Sequence, residues 1–182
     1  MADVSVRPAG PGDVDEIARI QADTWHTAYQ DVLPAEVLAG IAAEGLRPGW
    51  RAALTAAPSP RHHVLIANEG EHRVGFTAFG PDADAQAGDP DVDSSAAITV
   101  LLVEPRWGRR GHGSRLLAAI TDIARQDGVD RLVAWVPAAD TASLTFYRAA
   151  GWEADGLQRG LDTGAGVVNE LRLHVSLAQP PA

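Results

Sequence analysis

The chain has 182 residues, 46% of them hydrophobic, and a formal net charge of −9 at pH 7. This length predicts a single domain over residues 1–178 that buries about 70% of its unfolded surface, followed by a frayed tail at 179–182. The chain is acidic overall and has no excess of basic residues to form a nucleic-acid-binding patch, so no nucleic-acid partner is expected. Because cysteine is absent, the sequence excludes disulfides, thiolate nucleophiles and zinc–thiolate sites.

The basic residues number 15, and all of them are arginine. Without lysine the chain cannot form a pyridoxal-phosphate Schiff base or a Walker-type phosphate loop. The amino-terminal segment carries aspartate where a secretory signal needs positive charge, and no apolar run of about 18 residues occurs. These features predict a cytoplasmic protein with no membrane partner.

The amino-terminal third predicts one strand and two helices. Residues 4–7 alternate in polarity as a short strand does. A helix follows, in which Asp13 is expected to cap the first turn and Glu16 to complete a capping box. A second helix is predicted to begin at Pro34 and to end within the Gly-Leu-Arg-Pro segment at 45–48.

The middle of the chain predicts three strands. Two apolar stretches, 62–68 and 73–80, flank a polar turn, which indicates an antiparallel hairpin. The segment 81–95 is polar and rich in aspartate, glycine and proline, which predicts a solvated loop. It lacks the glycine and glutamate that a calcium-binding loop needs, so no metal site is expected. The continuous apolar run 98–103 is typical of a buried strand that stops at Pro105.

The carboxyl-terminal part alternates between helices and strands. The pattern predicts a helix at 111–128, a strand at 131–137, a helix at 141–150, and final strands at 153–161 and 167–177. The resulting element order, β-α-α-β-β-β-α-β-α-β-β, predicts an α/β fold with a mixed sheet.

The segment LLVEPRWGRRGHGSRLL at 101–117 carries the clearest chemical signal. A buried strand leads through a glycine-containing turn to a helix start, where free N–H groups and the helix dipole favour an anion such as pyrophosphate. An ordinary turn with solvated arginines remains an alternative. A dinucleotide-binding fingerprint fails because Leu116 stands at the position of its third glycine. A nucleophile elbow at Ser114 fails because His112 and Leu116 stand at the two positions where that motif needs glycine.

Three segments together resemble the GNAT superfamily of N-acetyltransferases. GRRGHG at 108–113 is similar to the family's loop for the pyrophosphate of acetyl-CoA, and WVPAADTASLTFYRAAGW at 135–152 is similar to its second motif. DTWHTAYQDVLPAEVL at 23–38 looks like an amino-terminal segment of many members. The resemblance implies a mostly antiparallel central sheet with helices on both faces.

The resemblance also implies acetyl-CoA as the acyl donor and assigns residues to it. The implied contacts are Leu101, Leu102 and Val103 for the pantetheine, Arg109, Arg110, Gly111, His112, Gly113 and Ser114 for the pyrophosphate, and Asp140 and Ser143 from the second motif. The chain departs from the family pattern at Gly108, where glutamine or arginine is usual, and at Asp140, where asparagine is usual.

Direct attack by a primary amine on the thioester is the reaction that the resemblance implies. Tyr147 matches the family's proton donor to the leaving thiolate, and a backbone N–H near Val103 would stabilise the oxyanion. A purely structural role for Tyr147 in the core is the alternative. The general base stays unassigned, because the strand before the loop carries no acid and Glu104 is expected to be solvated. A water chain, a substrate that is already deprotonated, and a side chain such as His26, Glu36 or Glu170 are the alternatives for this role.

Trp25 and Tyr29 lie four residues apart on one helical face and are candidate walls of the acceptor pocket, although a core helix gives the same pattern.

Taken with the resemblance, the sequence predicts transfer of an acetyl group from acetyl-CoA to a primary amine of a small molecule or peptide. A catalytically silent acyl-CoA-binding module on the same fold is the alternative, and an unrelated nucleotide-binding protein is a third. A homodimer is left open.

Overall fold

A seven-stranded sheet in the order β1-β2-β3-β4-β5-β7-β6 organises residues 3–178, the part of the chain that the computed structural model describes. The strands are β1 (Val4–Pro8), β2 (His63–Glu69), β3 (His72–Pro81), β4 (Ser95–Val103), β5 (Arg131–Pro137), β6 (Glu153–Asp162) and β7 (Val167–Ser176). The helices are α1 (Val14–Ala28), α2 (Ala35–Ala39), α3 (Ala43–Thr55), α4 (His112–Gln126) and α5 (Thr141–Ala149). The frayed tail predicted at 179–182 lies outside the described residues.

All strand pairs of this sheet are antiparallel except β4 with β5, so the predicted mixed, mostly antiparallel α/β sheet is confirmed. Helices cover both faces, as expected. One face of the sheet packs against α1, and the other packs against α4 and α5. The core on the α1 face consists of Ile17, Ile20, Ile66, Phe76 and Leu102. The core on the opposite face includes Leu116, Ile120, Leu132, Leu144 and Leu173. In the described range 3–178, no helix has both the length and the apolar content needed to cross a membrane.

The prediction of a single helix ending within 45–48 is wrong. The structure has two helices there, and Pro48 lies inside α3. Local chain chemistry disfavours a proline inside a helix, but long-range contacts hold α3 in place. The Trp50 indole donates to the Gln21 side chain on α1 at 2.7 Å and packs edge-on against Phe76 at 5.1 Å between ring centroids. Packing against α1 and the sheet therefore overrides the local helix-breaking signal.

The predicted capping box at the start of α1 is also wrong. The Asp13 carboxylate does not cap α1; it accepts two hydrogen bonds of 2.8 Å from Arg7 and one of 2.9 Å from the Gly10 N–H. Glu16 instead pairs with Arg19 at 2.9 Å. The Arg7 hydrogen bonds hold the pKa of Asp13 below its usual value. A charged partner on β1 thus draws the carboxylate away from the helix start.

The β4–β5 pairing is short, and this positions the site. Only residues 95–98 of β4 pair with 131–134 of β5. The register with β3 then shifts, so that Thr99 is an extra residue on β4, and its hydroxyl donates to the Ala78 carbonyl at 3.1 Å. A bulge of this kind bends the strand that carries it. Beyond Ile98, β4 and β5 separate and leave an opening between their carboxyl-terminal ends.

The aspartate-rich segment is a loop, as predicted, but its charges are not simply solvated. Asp89 accepts two hydrogen bonds, of 2.5 and 2.6 Å, from Arg172 on β7, and Asp84 accepts one of 2.5 Å from Arg159 on β6. Arg172 also donates to Asp155 at 2.7 Å. Two arginines of the sheet therefore fix the loop to β6 and β7.

We expect Asp89→Asn to lower the thermal midpoint at pH 7 by about 5 °C, since each kcal/mol moves the midpoint of a chain of this size by about 2–4 °C. The Arg172 hydrogen bonds hold the pKa of Asp89 below its usual value. The carboxylate therefore stabilises the fold above the unfolded pKa of about 3.9, and this contribution disappears as the pH falls through the folded pKa.

The difference in thermal midpoint between wild type and Asp89→Asn, measured by calorimetry, should accordingly become smaller as the pH falls from 5 to about 2. Asp93→Asn is the matched control, because Asp93 is exposed in the same loop. Equal midpoints for wild type and Asp89→Asn at pH 7 would contradict the proposed role of this pair.

Candidate functional site

Two cavities meet where β4 and β5 separate. The first, of about 410 Å³, lies between the carboxyl end of β4, the loop that follows it and the start of α5; it is called the loop-side cavity. The second, of about 250 Å³, lies between α1, β4, β5 and β7; it is called the inner cavity. The residues that line both are Tyr29, Leu101, Leu102, Asp140 and Ser143. A ligand in one cavity can therefore reach a ligand in the other.

The loop between β4 and α4 has the backbone shape of an anion site. Arg109 and Gly111 adopt positive φ angles of 62° and 83°, which turn the chain sharply into α4. The first N–H groups of α4 have no acceptor within the helix, and the dipole makes this end positive. A Cβ at Gly113 would approach the Phe146 ring to 3.3 Å, so glycine lets α4 and α5 lie close together. Backbone donors thus face the loop-side cavity.

The structure brings most of the residues predicted to hold the cofactor to the loop-side cavity. Its lining includes Leu101, Leu102, Val103, Arg109, Gly111, His112, Gly113, Ser114, Asp140 and Ser143. Arg110 is the exception, since its guanidinium pairs with Glu69 at 2.9 Å and stacks 4.9 Å from the Trp107 ring centre. Its side chain therefore holds the outside of the loop.

His112 lines the loop-side cavity, but it is 1% exposed and its Nε2 lies 2.7 Å from Glu69. The imidazole thus connects the first turn of α4 to β2.

Sequence reasoning missed two aromatic residues in the wall of the loop-side cavity, Trp107 and Phe146. Their positions beside the loop and beside Tyr147 are the only sequence signal for them, and that signal does not distinguish a cavity wall from core.

The inner cavity has mainly apolar walls. Trp25 and Tyr29, predicted as acceptor walls, both line it, with ring centroids 6.3 Å apart. Its other apolar walls include Leu33, Val37, Ile98, Val136, Leu161 and Val168. The charged residues that line it are both acidic, Asp140 and Glu170, and none of the arginines within 3–178 reaches its wall. The chemistry of this cavity therefore suits a small, largely apolar molecule with a cationic group.

Tyr147 projects from α5 to the inner cavity and is 5% exposed. Its ring packs against Trp152 at 4.8 Å between centroids. Burial, and then the neighbouring Tyr29 and Asp140 groups, raise the pKa of Tyr147. The phenol therefore keeps its proton at neutral pH and can donate it to a strongly basic anion.

The candidate bases named from the sequence lie in different places. Glu104, expected to be solvated, is 3% exposed and forms ion pairs with Arg19 and Arg106, so that expectation is wrong. Neither Glu104, His26 nor Glu36 lines the two cavities described above. Glu170 does line the inner cavity, where it accepts a 2.7 Å hydrogen bond from Arg159.

Comparisons with known proteins agree with this geometry. The model of the acetyltransferase (GNAT) family matches residues 15–152. The chain is 29% identical to an uncharacterized N-acetyltransferase, YuaI, of Bacillus subtilis over 147 residues, which are 80% of this chain and 78% of the relative.

Solved structures extend the fold similarity to nearly the whole chain. An N-acetyltransferase from Staphylococcus aureus Mu50 has a TM-score of 0.74 at 17% identity, covering 97% of this chain and 99% of its own. The putative acetyltransferase yncA from Salmonella typhimurium, solved with acetyl-CoA, has a TM-score of 0.71 at 18% identity, covering 99% and 97%.

Acetyl-CoA is the acyl donor for this family, and N-acetyl transfer is its general activity. The family model spans the loop between β4 and α4, the opening between β4 and β5, and the second motif through Trp152. The chain therefore belongs to the acetyltransferase (GNAT) family.

Proposed function

We propose that this protein transfers the acetyl group of acetyl-CoA to the primary amine of a small, largely apolar molecule. The observation that carries the proposal is the meeting of two cavities at Leu101 and Leu102, one with an anion-binding loop and the other apolar with acidic groups. Direct transfer requires the donor and the acceptor to meet in this way.

The loop-side cavity fits the donor. Its positive-φ loop and the open N–H groups of α4 suit a pyrophosphate, and Arg109 adds positive charge beside them. The edge of β4 at Leu101–Val103 has no partner strand on the β5 side within residues 3–178, so its backbone can pair with the pantetheine amides. When bound there, acetyl-CoA supplies an activated acyl thioester.

The inner cavity suits a small acceptor. Its volume of about 250 Å³ is below the range of about 300–1,000 Å³ that is usual for drug-sized ligands. Trp25 and Tyr29 supply aromatic surface, which favours an amine with an apolar or aromatic body. A small-molecule amine is therefore the proposed acceptor in preference to a peptide.

Tyr147 is the proposed general acid. It lines the cavity where the acceptor would bind, and because burial raises its pKa the hydroxyl is protonated at neutral pH and carries a proton for the departing sulfur. Proton donation to the sulfur prevents the reverse reaction, because a neutral thiol is a much weaker nucleophile than a thiolate.

A silent acyl-CoA-binding module remains the second candidate. Gly108 supplies no side chain to the loop, and β4 contributes no carboxylate to either cavity. These features remove two contacts that the family usually makes. Binding of acetyl-CoA without release of thiol, tested with a broad panel of amines, would favour this candidate.

Thermal unfolding with and without acetyl-CoA tests the donor site. At about 100 times the dissociation constant, binding adds roughly 2.7 kcal/mol to stability, so the midpoint should rise by several degrees. Ser114→Glu should retain the unliganded midpoint, since an acid suits the first turn of a helix, yet it should abolish the shift by repelling phosphate. Ser114→Gln is the neutral control. The absence of a shift in wild type at millimolar acetyl-CoA would refute the donor site.

Replacement of the proposed acid should separate turnover from binding. We expect Tyr147→Phe to lower kcat by about 100-fold, the lower end of what acid–base groups contribute, while the midpoint shift with acetyl-CoA stays as in wild type. Thiol release in the presence of an amine panel measures kcat, and calorimetry measures the midpoint shift with acetyl-CoA. Full activity in Tyr147→Phe would show that another group protonates the sulfur.

A further inference from the structure

We propose that Asp140 holds the acceptor amine and takes its proton, an inference that rests on the proposed N-acetyltransferase function. Asparagine is usual at this position in the family, so the carboxylate is a property of this chain. Three observations support the assignment: the place of Asp140 between the cavities, its lack of an arginine partner, and the presence of Tyr29 in the same shared wall.

Asp140 lies where the acetyl group must meet the amine. It is 8% exposed and lines both cavities, as do Leu101 and Leu102, whose backbone borders the proposed thioester position. Its Oδ1 accepts a 3.0 Å hydrogen bond from the Ser143 N–H, which fixes the carboxylate at the start of α5. Of the carboxylates, Asp140 alone lines both cavities within residues 3–178.

The charge of Asp140 also lacks a cationic partner. In the described part of the chain, the other buried carboxylates, Asp13, Glu104 and Glu170, each pair with at least one arginine. Asp140 forms no ion pair with any residue there. A buried charge is stable only when it is paired or hydrogen-bonded, so a cation that enters the site gains a full electrostatic partner. The ammonium group of an acceptor is such a cation.

Tyr29 lies beside Asp140 in the shared wall of the two cavities, since both residues line each of them. Burial, and then the Asp140 charge, raises the pKa of Tyr29. The Tyr29 hydroxyl therefore stays protonated at neutral pH and adds a polar donor to the same wall as the Asp140 carboxylate.

Capping alone does not require a carboxylate here. Asparagine caps a helix as well as aspartate does, because either side-chain oxygen can accept from the first turn. The cap itself therefore does not need the negative charge, and the location of the carboxylate between the cavities makes that charge available to a ligand.

The proton balance of the reaction follows from this placement. The acceptor enters as an ammonium ion, and one of its protons passes through Asp140 to solvent. The nitrogen lone pair then bonds to the acyl carbon as the carbon–sulfur bond breaks. A second N–H proton moves to Asp140, while Tyr147 gives its proton to the sulfur. The proton on Asp140 finally restores Tyr147 through solvent, so one proton is released for each ammonium acetylated.

Binding of a probe amine tests Asp140 without turnover. The probe is 2-phenylethylamine, titrated calorimetrically into the protein loaded with coenzyme A, and 2-phenylethanol is the uncharged control ligand. We expect Asp140→Asn to weaken the affinity for the amine by about tenfold or more and to leave the affinity for the alcohol unchanged. The thermal midpoint should stay close to that of wild type, because asparagine retains the cap of α5. Equal amine affinities in wild type and Asp140→Asn, or no amine binding to wild type, would overturn the proposal.

Kinetics with acetyl-CoA tests the proton transfer. We expect Asp140→Asn to lower kcat/KM for 2-phenylethylamine by about 100-fold, with the larger loss in kcat, and the loss should shrink for amines that are neutral at the assay pH. Asp122→Asn, an exposed aspartate on α4, is the matched control. Unchanged kinetics in Asp140→Asn, or a loss found only in Glu170→Gln, would overturn the assignment.

The two experiments separate the two proposals. If wild type releases no thiol with any amine while Asp140 still determines amine affinity, the N-acetyltransferase proposal fails and Asp140 retains only its amine-binding role. If wild type acetylates amines and Asp140→Asn does so equally well, the assignment of Asp140 fails and the N-acetyltransferase proposal stands.

Discussion

The early end of the β4–β5 pairing is the constraint on which the site depends. Only four residue pairs join these strands before the extra residue at Thr99 bends β4 away. Each unpaired backbone group in a protein interior needs a partner, so the exposed edge of β4 is a binding surface by default. The same separation makes room for both cavities and lets them meet. A regular parallel ladder through Val103 and Pro137 would close the opening and leave an ordinary α/β sheet.

Arginine supplies all the positive side-chain charge except that of histidine, and its planar fork organises the acidic groups. Arg172 and Arg159 fix the aspartate-rich loop to β6 and β7, and Arg7 holds Asp13 beside β1. Asp140 is the one buried acid within residues 3–178 that forms no ion pair with an arginine. Under the proposal, the ammonium group of the acceptor supplies the missing partner.

Sequence periodicity predicted the succession of strands along the chain, the hairpin, and the loop between β4 and α4, since these depend on local alternation and glycine placement. It failed at Pro48 and Glu104, where the deciding partners are distant: Trp50 reaches back to Gln21, and Glu104 pairs with Arg19. The turn between β4 and α4 could be located from the sequence because its residues are contiguous. The shared wall of the two cavities could not, because α1 and α5 meet there only after the chain has folded.

The two cavities draw on different parts of the polypeptide. The loop-side cavity is lined largely by β4, the loop that follows it and the first turn of α4, whereas the inner cavity also takes walls from α1, α2, β5 and β7. Substitutions at positions such as Val37 or Val168 can reshape the acceptor wall while the backbone of the donor loop stays intact. Under the proposed function these wall positions set the choice of acceptor, so a library restricted to them should redirect the protein to new amines without rebuilding the proposed acyl-donor site.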